Sequence, residues 1–597
     1  MQQKQVTRPE ARVGREQQGR SARGQIDGEW RCTTQVFRAR DDSGAVMAIT
    51  QEGIIHRQQQ CQCREEQGPP PAQEAATVVR AAKGNARPQN MRSRLLAAIV
   101  MLSSTFSCKK EEQPPVPEVH GAAPVDASVP SKEVELTFLV TGAENGYLLP
   151  TPEPKGARGG AAEVLGRWLA EEGHCVERDA GSCADSKTIA LSTGDNANGQ
   201  SISSYFKGAS TAEVMKEMGY AGSAFGNRER DWHREQFLAN VKTGGFPYLA
   251  ANLKPKDEQG SALGLKPYVM LERKGVKVAV VGLAARKSTW TPMPGRMAGL
   301  ELVGDVTALT EAIPAARLEG AEIIAIVTDG CLHDMPELLE QHKDWAPAFV
   351  AGRDCEREYP EAVGLTRLVY PGRHWNEYAK VNVKVDVLKP LAQRLVKAES
   401  SVVEVVAPAK PDAAVAALIA GWKTKLDAAL GGAIGFSKAG LEQESAQMSA
   451  WLTTSLKERF KTDVALLNRK GVRQGLPAGV ITSATVWDLV PFENEIVTVK
   501  VTGEQLLAAA QNTEARFSGL RAKGEGFVDG KGAEIDAKKT YTLATTDYLY
   551  LGGDGFKLHE ADKAPTQTKV SWQSALIEWT KAKKSDAKKP LETLLPK

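Results

Sequence analysis

The sequence predicts an α/β protein in which a layered α/β domain precedes a smaller α+β domain. Its 597 residues are too many for one hydrophobic core and indicate two to four domains. With 42% hydrophobic and 25% charged residues, the composition is typical of a folded globular protein. From about residue 134 onward, short β-rich runs alternate with helical segments. The formal net charge is only +3, so the composition gives no reason to expect a nucleic-acid partner.

Residues 1–90 are rich in Gln and Arg and have no sustained helical or strand period. We therefore expect a disordered leader or an over-long gene start. Met91 opens a different pattern, in which two arginines precede the apolar run 95–102 and a stretch of small residues. This pattern predicts a secretory signal over 91–108. The apolar run is too short for a transmembrane helix, which needs about 20 residues.

Cys108 ends this signal and is followed by a charged, Pro- and Ala-rich tether over 109–133. The arrangement resembles a bacterial lipoprotein, although Thr105 stands where that pattern usually has Leu. The resemblance implies that Cys108 is acylated and anchors the chain to a membrane. It also implies an exported protein, either periplasmic or anchored to the outer membrane.

Four further cysteines follow Cys108 in the exported part of the chain. An even number agrees with an oxidising compartment and permits two disulfides. We favour Cys175–Cys183 as a local loop and Cys331–Cys355 between neighbouring strand ends. The alternative is four reduced and buried thiols.

Five short β-rich runs are predicted to be buried strands, and two helical patterns lie between them. The strands are expected at 135–141, 188–192, 276–282, 323–328 and 348–351, and the helices at 161–172 and 211–218. This alternation predicts an α/β layered domain over 134–400, with site residues on the loops at the strand ends.

Two prolines then break the alternation over 400–411. Asp412 is expected to cap a helix that ends near Leu430, before a pair of glycines. We assign 401–432 to a linker and interdomain helix, and 433–597 to a second, α+β domain. The predicted helix and strands of this second domain lie at 448–460, 497–501 and 541–545.

A resemblance to a known family rests on two segments of the second domain. Residues 468–494 read NRKGVRQGLPAGVITSATVWDLVPFEN, and 552–556 read GGDGF. In order and spacing they are similar to the NGGGIR, LPAG, IT, PFxN and GGDG elements of the bacterial 5′-nucleotidase/UDP-sugar hydrolase family. Extended over 134–590, the resemblance implies a four-layer metallophosphatase-like αββα sandwich, a linking helix and a 5′-nucleotidase C-terminal domain.

The resemblance implies two divalent metals in the first domain, which orient a phosphate and activate water. Asp195, which bridges both metals in the family, and the possible ligand Asn227 are kept. Six ligand or catalytic positions hold other residues, namely Ala143, Asn145, Arg228, Asp329, Arg353 and Cys355. Asp195 and Asn227 alone cannot hold a metal pair. We therefore expect no cofactor, and a divalent pair such as Zn or Mn only if the site is atypical.

Two arginines now stand where the family has histidines. We hypothesise that Arg228 and Arg353 neutralise Asp195, Asp329 and Asp354 in a salt-bridged plug, because buried charges must be paired. An alternative is that the two arginines clamp an anion such as phosphate. A third possibility is a metal site rebuilt from nearby histidines. The candidates for such a site are His233, His333 and His374.

The second domain keeps the positions that the family uses for its nucleotide. By resemblance, Asn468 and Arg473 hold the nucleotide, Phe492 and Tyr548 sandwich the base, and Asp554 binds the ribose hydroxyls. Each aromatic stack contributes about 1–3 kcal/mol. The alternative is that these residues are kept for packing alone.

We interpret the chain as an exported 5′-nucleotidase-family protein, a pseudoenzyme that binds a nucleoside or nucleotide through its C-terminal domain. One alternative is an active nucleotide phosphohydrolase with an atypical metal site. Another is an envelope scaffold that binds other molecules without nucleoside affinity. The family alone does not decide between these functions.

Overall fold

The computed structural model describes residues 131–153, 156–285, 299–407, 409–524 and 526–596. The predicted leader, the signal with Cys108 and nearly all of the tether lie outside these residues. The described residues belong to one compact unit of the chain. Among them, no helix combines the length and the apolar character needed to cross a membrane.

The N-terminal region, residues 131–404, is an α/β structure, and one long helix follows it. Its strands are β1 (Glu133–Thr141), β2 (Thr151–Glu153), β3 (Gly156–Arg158), β4 (Thr188–Ser192), β5 (Tyr220–Ala224), β6 (Tyr248–Leu249), β7 (Leu253–Pro255), β8 (Tyr268–Arg273), β9 (Val276–Leu283), β10 (Leu300–Leu302), β11 (Ile323–Cys331), β12 (Phe349–Arg353), β13 (Ala362–Val363), β14 (Thr366–Val369), β15 (Glu377–Asp386) and β16 (Leu395–Glu404). The helices are α1 (Ala161–Arg167), α2 (Glu177–Ala180), α3 (Ser201–Ser204), α4 (Ala209–Glu217), α5 (Arg234–Gly244), α6 (Glu258–Ser261), α7 (Asp305–Leu318), α8 (Met335–Gln341) and the linking helix α9 (Ala413–Leu430).

Two six-stranded sheets form the centre of this region, in the orders β16-β15-β1-β4-β5-β6 and β13-β14-β12-β11-β9-β8. Their inner faces share one core, in which the rings of Phe138 and Phe349 meet at 4.9 Å between centroids. On the outer face of the first sheet, Leu139 packs in a core with α1, α4, α5 and α9. On the outer face of the second, Val281 packs in a core with α7 and α8. The predicted four-layer αββα sandwich is therefore confirmed.

The predicted strands of this region are present, with small differences at their ends. β11 continues to Cys331, three residues past its predicted end, because Thr328 and Asp329 are buried despite being polar. The break that we placed at residue 400 is wrong in its position, since β16 pairs with β15 as far as Glu404. The single helix predicted over 161–172 is α1 followed by a π-helical turn, Trp168–Glu172.

The linking helix α9 forms as predicted. The Asp412 carboxylate accepts a hydrogen bond from the backbone N–H of Val415 at 2.9 Å, which satisfies one free donor of the first turn. The helix ends at Leu430, before Gly431. Its apolar face belongs to the outer core of the first sheet, where the Trp422 ring lies 4.8 Å from that of Phe206.

The C-terminal region, residues 433–596, is the predicted α+β structure around a five-stranded sheet of order β21-β18-β24-β20-β25. Its strands are β17 (Ala433–Ser437), β18 (Val464–Asn468), β19 (Gly479–Thr482), β20 (Glu495–Thr502), β21 (Ala515–Ser518), β22 (Leu520–Lys523), β23 (Gly526–Asp529), β24 (Thr540–Thr546) and β25 (Thr566–Ser571). Its helices are α10 (Ala446–Phe460), α11 (Ser483–Leu489), α12 (Gly503–Ala510), α13 (Asp547–Tyr550), α14 (Leu558–Ala561) and α15 (Trp572–Lys583). Helices α10 and α15 cover one face of the sheet, and α12, α13 and α14 cover the other.

Both predicted disulfides are present, and the alternative of four free thiols is wrong. Cys175 and Cys183 close a loop between α1 and β4, with their Cα atoms 5.7 Å apart. Cys331 and Cys355 join the ends of β11 and β12, with their Cα atoms 5.6 Å apart.

Candidate functional site

The residues singled out in the N-terminal region lie at the carboxyl ends of strands β1, β4, β5, β11 and β12. Ligand sites of open α/β sheets form at this edge. The backbone there is tightly turned, and three non-glycine residues adopt left-handed φ angles: 46° at Ala143, 45° at Asn145 and 59° at Asp195. Such conformations cost about 1–3 kcal/mol each and concentrate at functional sites.

Arg353 lies between the two buried carboxylates of this edge. Its Nη1 atom is 3.3 Å from Asp195 Oδ2 and 3.2 Å from Asp329 Oδ1. The carboxylate side chains are 4% and 1% exposed, whereas the arginine is 40% exposed and reaches them from the solvent side. Burial and the Asp195 charge raise the pKa of Asp329 to about 8, which the Arg353 charge partly offsets. This is the ion-paired arrangement that the plug hypothesis predicts for Arg353.

Arg228 is placed differently from the plug hypothesis. Its guanidinium bonds to Asp231 Oδ2 at 3.1 Å, and only its backbone N–H donates to Asp195 Oδ1, at 3.0 Å. Asp354 does not join the cluster through an arginine either. Its carboxylate accepts a hydrogen bond from the backbone N–H of Glu356. Of the two arginines in the hypothesis, Arg353 is therefore the one whose guanidinium contacts Asp195 and Asp329.

Glu144 is a buried carboxyl group that the sequence analysis did not single out. It is fully buried and accepts hydrogen bonds from the hydroxyls of Thr141 and Ser192. Burial is the main reason why its pKa rises to about 7. Its position between Ala143 and Asn145, two residues that the resemblance singled out, could have indicated that it belongs to this edge.

Glu229 is a second buried acid that was overlooked. It accepts hydrogen bonds from the backbone N–H groups of Asp195, at 3.2 Å, and Asn196, at 2.8 Å. Burial and the nearby Asp195 charge raise its pKa well above the usual value. Glu229 therefore supports the loop that carries Asp195. Glu229 follows Arg228, a residue that the resemblance singled out, and this position could have indicated that Glu229 belongs to the same edge.

The side chains at this edge do not fit a pair of divalent metals. Ala143 has no donor atom, and the Asn145 amide donates a hydrogen bond to the carbonyl of Ala143. Cys355 is held in a disulfide, and Arg353 places a positive charge between the two aspartates. At the positions that the family uses as ligands, Asp195, Asn227 and Asp329 are left as oxygen donors, and Glu144 and Glu229 are engaged by the surrounding loop. Three such donors are too few for two metals in a site that normally also uses several imidazoles.

The three histidines considered for a rebuilt site have other contacts. His374 stacks on Tyr147 with ring centroids 3.7 Å apart, and burial lowers its pKa to about 3. His333 lies beside Asp334, and His233 is the exposed residue before α5. Within the described ranges, one group of three His, Cys, Asp or Glu side chains is close enough to share a metal, and it does not include Asp195.

The C-terminal region brings three of the five nucleotide-binding candidates into one hydrogen-bonded set. Asn468 Nδ2 donates to Asp554 Oδ2 at 2.7 Å, and the Tyr548 hydroxyl donates to Asp554 Oδ1 at 3.2 Å. Asp554 has a left-handed φ of 50° in the glycine turn. A Cβ at Gly553 would lie 2.4 Å from the Tyr548 ring, so this turn requires glycine.

The other two candidates, Phe492 and Arg473, lie together beside the N-terminal region. The Arg473 guanidinium carbon is 5.8 Å from the Phe492 ring centroid. Arg228, from the N-terminal region, is closer to the same ring, at 4.8 Å. Arg228 therefore links the strand-end edge that carries Asp195 to the candidate nucleotide cleft, a contact that the sequence did not predict.

Further contacts join the two regions around this cleft. The Asp488 carboxylate accepts a hydrogen bond from the backbone N–H of Ser201 at 2.6 Å, and Lys207 pairs with Glu493 at 3.0 Å. The rings of Tyr205 and Trp487 meet edge to face at 5.6 Å. These contacts hold the segment that carries Phe492 against the N-terminal region.

Comparison with known proteins gives matches to one domain model and to several relatives. The model of the 5′-nucleotidase C-terminal domain matches residues 423–560. The protein UshA of Yersinia enterocolitica is 25% identical over 444 residues, which are 63% of this chain and 79% of UshA. Endonuclease YhcR of Bacillus subtilis is 22% identical over 61% of this chain. The chain spans a third of the length of YhcR.

Solved structures share the fold. A 5′-nucleotidase precursor from Thermus thermophilus superposes with a TM-score of 0.61 at 18% identity, covering 76% of this chain and 97% of its own. The 5′-nucleotidase of Candida albicans gives a TM-score of 0.51 at 15% identity, covering 76% of this chain and 100% of its own. At these identities the likeness concerns the arrangement of both regions and not their chemistry.

Proposed function

The chain belongs to the 5′-nucleotidase family, and from this premise we propose that it is a member that binds a nucleoside or nucleotide without hydrolysing it. The ligand would lie in the cleft lined by the C-terminal residues Asn468, Arg473, Phe492, Tyr548 and Asp554. We further propose that the protein is exported and anchored through Cys108.

The hydrogen-bonded set around Asp554 is the observation that carries this proposal. Asn468 and Tyr548 orient the carboxylate with one donor to each oxygen. A carboxylate oxygen has two lone pairs, so each oxygen can still accept a hydroxyl of a ribose diol. Phe492 offers a ring face for a base, and Arg473 offers fixed donors for polar groups of the ligand.

The charge balance of the N-terminal region supports the absence of hydrolysis. Hydrolysis in this family needs cations beside Asp195, but here the single positive charge of Arg353 lies between Asp195 and Asp329. A guanidinium has no acceptor atom and stays protonated, so Arg353 cannot bind a metal or remove a proton from water.

Titration calorimetry of the full chain with adenosine and AMP tests binding. We expect saturable binding that Phe492→Ala weakens about 5- to 150-fold, the equivalent of one lost stack. Asp554→Ala should also weaken binding, whereas the exposed Glu504→Ala serves as a matched control without effect. If neither a nucleoside nor a nucleotide gives a heat of binding, the proposal is contradicted and the scaffold alternative is favoured. In that case Arg473→Ala should leave the binding of the scaffold's partner unchanged.

A separate assay tests the hydrolase alternative. The full chain is incubated with AMP or UDP-glucose in added manganese or zinc, and its metal content is measured. We expect no turnover above the buffer rate. Stoichiometric metal together with turnover that Asp195→Ala abolishes overturns the pseudoenzyme proposal and restores a phosphohydrolase.

A further inference from the structure

The disulfide between Cys331 and Cys355 lies beside an imidazole. A ligand atom of His333 and the two sulfur atoms all lie within 4.8 Å of one another. Within the described part of the chain, this is the one group of three potential metal ligands so closely placed. All three side chains are half-buried, so small reagents can reach the group.

The imidazole is oriented by a neighbouring acid. His333 Nε2 lies 3.1 Å from Asp334 Oδ1 and 3.0 Å from Arg357 Nη1. His333 Nδ1 is buried and has no hydrogen-bond partner among the described residues. A metal-bound histidine commonly donates its other ring N–H to a carboxylate, which fixes the ring and its tautomer. Arg357 can only donate, so Nε2 cannot accept from Arg357 and donate to Asp334 at the same time. In the tautomer that donates Nε2–H to Asp334, Arg357 gives up its hydrogen bond to Nε2, and Nδ1 is left free to bind a cation.

From this geometry we propose that reduction of the Cys331–Cys355 disulfide creates a binding site for one divalent cation of the zinc type. The S–S bond takes up two electrons and two protons from a dithiol, which becomes a disulfide itself. Binding of the cation then releases the two thiol protons. The two thiolates and His333 supply three of four tetrahedral positions, and water fills the fourth.

This site differs from the metal pair of the family in its donor atoms and in the oxidation state of the protein that it requires. It uses two sulfurs and one nitrogen and does not use Asp195 or Asn227. In the oxidised protein both sulfurs are in the disulfide and cannot act as thiolates. Cys331 follows Asp329 by two residues, and Cys355 follows Arg353 by two, so the redox state also acts on the two strand ends that hold the plug.

Cobalt spectroscopy of the full chain tests the proposal. The protein is reduced with a phosphine, freed of reductant without oxygen, and titrated with Co²⁺. Because the full chain contains other cysteines, uptake is measured against the double variant Cys331→Ser/Cys355→Ser. We expect one additional Co²⁺ per reduced wild-type chain, with a thiolate-to-cobalt absorption band that Zn²⁺ abolishes. Equal uptake by the two proteins overturns the proposal.

Three further variants test the named donors while the two cysteines remain. Asp334→Asn should weaken cobalt binding about 10- to 100-fold through its effect on His333, and His333→Ala should weaken it more. The control Cys175→Ser/Cys183→Ser lacks the other disulfide and should bind as tightly as the wild type. Unchanged affinity in His333→Ala contradicts the three-donor site, even where a cysteine variant fails to fold.

Discussion

Arg353 contributes a positive charge to the strand-end edge that carries Asp195, because it contacts two aspartates that are almost completely buried. Removing it takes away the guanidinium that contacts both carboxylates. We expect Arg353→Ala to lower the free energy of unfolding by about 2–3 kcal/mol, at the low end for buried pairs because the guanidinium is 40% exposed.

A double-mutant cycle with Asp329→Asn separates this ion pair from other effects of the substitution. We expect the double variant to be more stable than the sum of the single losses predicts, by about 1–3 kcal/mol. Urea unfolding of the four proteins at pH 8 measures this coupling. Additive losses contradict the plug.

The pH dependence of stability should report on Glu144. Burial raises its pKa from 4.5 to about 7, so between these values the native state keeps a proton that the unfolded state has lost. Stability therefore falls as the pH rises through this window and levels off above it. The shift corresponds to about 3 kcal/mol.

Glu144→Gln removes this titration. We expect the variant to gain about 3 kcal/mol relative to the wild type between pH 4.5 and pH 8. Unfolding by urea at several pH values measures the difference, with the exposed Glu153→Gln as the control. A constant difference between Glu144→Gln and the wild type across this range contradicts the assignment.

Among the elements, the linking helix α9 depends on one side chain for two contacts. The Asp412 carboxylate caps the helix through Val415 N–H and pairs with Arg178 at 2.7 Å. We expect Asp412→Ala to cost about 2 kcal/mol, of which about 1 kcal/mol is the cap. Asp412→Asn keeps the cap and loses only the ion pair, so thermal unfolding should place it between the wild type and Asp412→Ala. Equal losses in the two variants contradict a role for the cap.

The buried strands could be predicted because their apolar runs are continuous. β4 has the predicted bounds, and β1, β9 and β12 differ by one or two residues at their ends. The edge strand β16 was not predicted, since only one of its side chains is buried and its sequence, LVKAESSVVE, is polar at half of its positions without a continuous apolar run. The helix cap at Asp412 was predicted because a cap depends only on residues that are close together in the sequence.

The candidate site was predictable only in part. The pairing of Arg353 could be predicted because the family resemblance places it beside Asp195 and Asp329, and a buried aspartate needs a cation. The partner of Arg228 could not be predicted in this way. Its contact with Asp231, three residues away, forms only because the chain makes a short helical turn over Arg228–Arg230. Glu144 and Glu229 were overlooked because their burial depends on packing between strands that are distant in sequence.

At the scale of the whole molecule, the N- and C-terminal regions meet around the candidate nucleotide cleft. Asp488 binds the start of α3, and Lys207 pairs with Glu493 close to Phe492. Arg228 extends this contact to the Phe492 ring itself. A base that stacks on Phe492 must therefore displace Arg228 from the ring or share the ring with it. The proposed ligand binding would therefore be coupled to the contact between the regions.

Arg228→Ala tests this coupling and separates a competing contact from an anion clamp. Loss of the cation–π contact frees the Phe492 ring, and such a contact is worth about 0.5–2 kcal/mol. We expect adenosine to bind about 2- to 30-fold more tightly to the variant, as measured by titration calorimetry. Arg228→Lys keeps the charge without the planar guanidinium and should lie between the two proteins. If AMP binding falls while adenosine binding is unchanged, Arg228 holds a phosphate instead, and the anion clamp replaces the competing contact as its role.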